Sequence, residues 1–158
     1  MIDLTDDFLK AQPGVITFWG PKLRNPVAGT WSIEVPLQPF SADDEYEPAT
    51  FRLGEDGPRL VNTAISLDFI DFRADRLAEL SGCTFDFPVN PHEGYIDGSI
   101  YLVACHCPVD VTRISFGTAT DDRITATIRA EFDFARAYGI HIRNRSAQLN
   151  ADLRFKSK

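Results

Sequence analysis

From Arg123 to Phe134 every even position is apolar (Ile124, Ala126, Ile128, Ala130, Phe132, Phe134) and every odd position is polar (Arg123, Thr125, Thr127, Arg129, Glu131, Asp133). Successive side chains of a strand point to opposite faces, so this period of two predicts a long strand with one dry face and one wet face. Ala147 to Phe155 repeats the pattern on odd positions, with Ala147, Leu149, Ala151, Leu153 and Phe155 against Gln148, Asn150, Asp152 and Arg154. Upstream of it Ile140 and Ile142 keep the even parity, so the register switches within Asn144, Arg145 and Ser146. Val109 and Val111 hand over to Ile114 and Phe116 in the same way, which implies a bulge near Thr112 and Arg113.

Ile96 to Cys107 is different, because it is apolar on both parities, and a strand of that kind is expected at the centre of a sheet or between two layers. Shorter strands are predicted at Val15 to Trp19, Thr30 to Leu37, Thr50 to Leu53, Val61 to Phe72 and Thr84 to Phe87. Each is rich in β-branched or aromatic residues and bounded by Gly, Pro, Asp or Asn. Helix signals are scarce. Thr5 as a cap, acids in the first turn and the Pro13-Gly14 stop predict one short N-terminal helix, while Ala74 to Gly82 reads either as a second short helix or as the opening of the next strand. The expected fold is therefore all-β, an antiparallel β-sandwich or flattened barrel of about nine to ten strands, in a single domain spanning residues 1–158.

Composition removes several function classes. With 44% apolar and 25% charged residues the chain has the make-up of a soluble globular protein, and no apolar run reaches the roughly 18 residues of a membrane helix. Asp3, Asp6 and Asp7 precede the first Lys, unlike the basic start of a signal peptide, and Cys83, Cys105 and Cys107 are too few to staple the chain. Both features predict a cytoplasmic protein. The net charge of −7 is uneven: 4 basic residues face 10 acidic ones in residues 1–58 and again in 59–122, against 8 and 3 in 123–158. An acidic balance argues against nucleic acid and anionic membranes as partners.

Three stretches carry candidate chemistry. In an extended strand Cys105 and Cys107 face one side and His106 the other, and C-x-C lacks metal-site spacing, so the stretch Ala104 to Asp110 is expected to be core, with no metal and no cofactor. His92, Glu93, Tyr95 and Asp97 crowd one loop with two prolines and two glycines and form the best candidate for a small-ligand site, with Trp19 and Trp31 as its wall. Asp43, Asp44, Glu45 and Glu47 surround Tyr46, an acidic loop with one aromatic anchor suited to a basic protein partner. Recognisable nucleophile, phosphate-loop and zinc motifs are absent, which moves the weight from enzyme toward binding protein.

The leading expectation is thus a small cytoplasmic non-enzymatic protein that occupies a basic partner's surface through residues 43–47, as an immunity or inhibitor protein does. A small-ligand or carbohydrate binder, or a hydrolase, with its pocket near residues 92–97 is the alternative. A self-associating sheet protein, dimerising through an edge strand such as Ala147 to Phe155, is the third.

Overall fold

The computed structural model describes residues 2–3, 6–22, 24, 26–42, 59–102, 105–135, 137 and 140–158. Among them twelve strands form: β1 (Ile2–Asp3), β2 (Gly14–Phe18), β3 (Trp31–Pro36), β4 (Phe40–Ala42), β5 (Arg59–Val61), β6 (Ala64–Ile70), β7 (Thr84–Asp86), β8 (Asp97–Leu102), β9 (Cys105–Phe116), β10 (Arg123–Phe132), β11 (Ile140–His141) and β12 (Arg145–Ser157). Seven of them close into a barrel in the order β10, β12, β2, β3, β6, β8, β9 and back to β10. All neighbours are antiparallel except β12 and β2, which pair in parallel from Leu153↔Gly14 to Ser157↔Phe18. The first and last long strands of the chain thereby close the barrel, a pairing that short hairpin connections cannot make.

Alternation explains the interior. The even residues of β10 from Ile124 to Phe132 and the odd residues Leu149, Ala151 and Leu153 of β12 are buried, and their polar neighbours face out. Aliphatic side chains fill the middle of the barrel, each worth roughly 1.5–3 kcal/mol when fully buried, and rings plug both ends. At one end Phe8 packs edge-on against Phe40 and tilted against Phe134, which stacks on Phe132. At the other, Trp31 touches Phe18, Phe72 and Phe155, and its indole N–H donates to the Ala74 carbonyl at 2.7 Å.

The bulge expected near Thr112 and Arg113 is present. Arg129 faces Arg113 while Ala130 faces Val111, which leaves Thr112 as the extra residue and lets both halves of β9 send apolar side chains inward. Between β11 and β12 residues 142–144 lie outside any strand, and Ile142 and Ala147, of opposite parity, both pack against the core.

Three expectations change. Ile96 to Cys107 is not one doubly packed strand; it is the hairpin of β8 and β9, with Leu102 opposite Cys105 and Ile100 opposite Cys107. Even residues face inward before the turn and odd residues after it, so both parities are apolar without any strand being buried on two faces. Pro108 lies inside β9, opposite Ser99, and its carbonyl accepts from Asp133 N–H on the β10 flank. A strand residue's N and O point the same way, so the missing N–H also falls on that flank, just beyond the end of β10, and β8 loses no bond. Finally, the two helices are single 3₁₀ turns, Asp6–Leu9 and Leu77–Leu80. In the second, Leu77 and Leu80 are buried, and the Glu79 carboxylate accepts from both the backbone N–H and the guanidinium of Arg76, which holds the turn in place.

Ala147 to Phe155 is not an edge either. It lies in β12, paired with β10 as far as Arg154 and with β2 from Leu153 onward, and among the described residues the terminal strand of the sheet is β7.

Candidate functional site: a ring-lined cleft at one barrel mouth

The register shift between β3 and β6 creates the site. Ile33 faces Leu67 while Trp31 faces Ile70, so β6 holds one extra residue at Asp68-Phe69. Phe69 takes φ 58°, the left-handed conformation that glycine usually supplies in such a bulge, and its ring is 45% exposed. After the bulge the parity flips, so Ile70 and Phe72 turn inward and the strand end bends away from β8, whose pairing with β6 stops at Asp68↔Asp97.

The gap so made is a cleft of about 420 Å³ between the end of β6 (69–73), β7 with its following residues (85–88) and the entry to β8 (94–96). That volume falls within the roughly 300–1,000 Å³ of small-ligand sites. Five rings line it. Phe72 is the buried floor, with ring centroids 4.8 Å from Phe85 and 6.1 Å from Phe87, and behind it Trp31 and Phe116 join the cleft to the core. Phe69 and Tyr95 stand at the exposed rim.

The two carboxylates of the wall, Asp71 and Asp86, already have partners. Arg113 donates to both carboxylate oxygens of Asp86, at 2.6 and 3.2 Å, and these bonds hold the Asp86 carboxyl below the usual carboxylate range. Asp71 accepts the N–H of Arg73 at 2.8 Å, which fixes the turn after β6, where Arg73 has φ 53°.

On the outer face beside the bulge, Asp68 lies opposite Asp97, with Glu34 close by. Partial burial first, then repulsion from Asp97 and Glu34, pushes the Asp68 carboxyl above its ordinary value.

Of the residues expected to form a ligand site, Tyr95 lines this cleft. His92 and Glu93 are exposed on the turn before it, whose backbone bonds run from His92 N–H to Val89 O and from Tyr95 N–H to His92 O. Asp97 sits on the outer face of β8, so the four side chains do not converge. Trp31 is core, beneath Phe72, and Trp19 lies at the parallel seam, donating to Ser32 Oγ at 3.0 Å with Lys158 Nζ 4.8 Å from its ring centroid. Asp43, Asp44, Glu45, Tyr46 and Glu47 lie outside the described residues.

Cys107 is fully buried, its thiol pushed up to about 11 chiefly by burial and then by Cys105 and Asp133. His106 is exposed on the opposite face, edge-on to Tyr101 at 5.1 Å, so the two separate as alternation requires.

Sequence reasoning missed Phe69, Phe72, Phe85 and Phe87. One signal was available: Ile65, Leu67 and Phe69 are odd and Ile70 and Phe72 even, the same parity switch that marks the bulge at Thr112. No family model, no curated protein and no solved structure matches the chain. Among the described residues no helix is long and apolar enough to cross a membrane.

Proposed function

We propose that this chain is a binding protein that holds an apolar or aromatic group in the cleft between β6 and β7. The observation that carries the reading is the ring content of that cleft: Phe69, Phe72, Phe85, Phe87 and Tyr95 surround one hollow at a barrel mouth. Ring-on-ring contacts contribute about 0.5–1.5 kcal/mol each beyond the area they bury, so two or three of them give useful affinity. The commitment of Asp86 to Arg113 and of Asp71 to the Arg73 turn supports a wall built to hold rather than to react. Three unbridged cysteines support a reducing compartment, and with it a cytoplasmic protein.

The other reading, neutralisation of a basic partner through Asp43 to Glu47, is supported by the acidic sequence and charge steering alone.

The test is a titration with 8-anilinonaphthalene-1-sulfonate, a fused aromatic whose emission rises and shifts to the blue on entering an apolar site. Saturable binding to the folded protein is expected, weakened about tenfold in Tyr95→Ala, which removes a rim ring that is 36% exposed and so spares the core. Tenfold corresponds to about 1.4 kcal/mol, the upper range of one lost ring contact. Equal affinity in the variant and the parent would remove the cleft as the site.

A further inference from the structure

The cleft is bounded by two strand edges as well as by rings. Strand β9 pairs with β10 along one flank, and its other flank is shared end to end: β8 covers Cys105 to Pro108 and β7 covers Arg113 to Ser115. On the side of β7 away from β9 no strand follows in the sheet among the described residues. Phe87 N–H donates to Thr112 O, and Cys83 O accepts from Phe116 N–H, so the odd residues 83 to 87 turn their backbone groups toward β9. The N–H and C=O of Thr84 and Asp86 therefore point the other way, and Asp86 itself lines the cleft. Across the gap, β6 has no backbone partner on its β8 side beyond Asp68 among the described residues.

We propose that the cleft is a slot for one extended polypeptide segment of a partner protein, which adds as a strand along the open edge of β7 and sets an apolar or aromatic side chain among the rings. This inference rests on the reading of the cleft as the binding site and specifies its ligand. A sheet edge offers donors and acceptors alternating at the peptide repeat, which another backbone satisfies in full, and a side-chain pocket beside the edge adds selectivity. Length limits the aggregation that an open edge invites: β7 is three residues long and Pro88 follows it closely, so a short segment can pair there and a long one cannot.

The experiment uses the full chain and blocked pentapeptides acetyl-Thr-Val-X-Val-Thr-amide, with X as Phe, Leu or Ala, competing against bound 8-anilinonaphthalene-1-sulfonate. Amide hydrogen exchange at Thr84 and Asp86 is read alongside. The expected result has the Phe peptide displacing the dye at least tenfold better than the Ala peptide and slowing exchange at Thr84 and Asp86 at least tenfold. N-methylation at alternate peptide residues should abolish both effects in one parity and spare them in the other.

Displacement without protection at Thr84 and Asp86, equal tolerance of N-methylation at both parities, or no displacement by any of the peptides from a dye-binding protein would overturn strand addition and leave the cleft reading standing. Dye binding indifferent to Tyr95→Ala would overturn the cleft reading itself.

Discussion

Replacing Phe69 by alanine and, separately, by glycine measures the strain stored at the bulge that opens the cleft. Both changes remove the ring, which is 45% exposed; about half of the burial value of a phenylalanine side chain, roughly 1 kcal/mol, is lost in each. They differ in the backbone. A side chain at φ 58° carries about 1–2 kcal/mol of left-handed strain, which alanine retains and glycine relieves. Glycine elsewhere in a strand is worse than alanine by roughly 0.5–1 kcal/mol, because the unfolded chain gains freedom. The difference leaves Phe69→Gly more stable than Phe69→Ala by about 0.5–1 kcal/mol, the reverse of the usual order. Urea unfolding at constant slope checks it, with a Tm gap of roughly 1–4 °C as a second readout. An alanine variant as stable as the glycine variant, or more so, would refute the strained-bulge argument. Both variants should weaken dye binding, because each removes a rim ring.

Two further predictions follow from ionisation. The Asp68 carboxyl is raised by partial burial and by Asp97 and Glu34, so its charged form opposes folding. Asp68→Asn should therefore stabilise the protein at neutral pH, and this advantage should shrink as pH falls through the raised value and vanish below the unfolded value of 3.8, where both states carry the proton; urea midpoints for parent and variant from pH 7 to 3 read it, and a gap independent of pH would refute it. Burial holds the Cys107 thiol protonated to about 11, so iodoacetamide at pH 8 should label it only after unfolding, with peptide mapping as the measurement and native labelling of Cys107 as the contrary result.

Parity marks a register change plainly where the apolar runs on both sides of it are long. At Thr112 two apolar pairs flank the switch and the bulge was evident, whereas at Phe69 the odd run ends on an apolar residue and passed as one strand from Val61 to Phe72. The hairpin of β8 and β9 is hidden for a related reason: the residues that link the two strands in sequence, Val103 and Ala104, are neither Gly, Pro nor Asn, so nothing local punctuates it. The loop with His92, Glu93, Tyr95 and Asp97 drew attention by its chemistry, yet neighbours in sequence turned to different faces and Tyr95 alone reached the cleft.

By itself the sequence determined the all-β class, most strand positions, the inward faces of β10 and β12 and the separation of His106 from its flanking thiols, because alternation is a local property of an extended chain. The tertiary structure alone decided that the sheet closes, that β2 and β12 meet in parallel, and that Phe69, Phe72, Phe85, Phe87 and Tyr95 share one hollow. Those facts depend on which distant edges pair and where one extra residue breaks the register, and long-range pairing of that kind leaves no periodic mark along the chain.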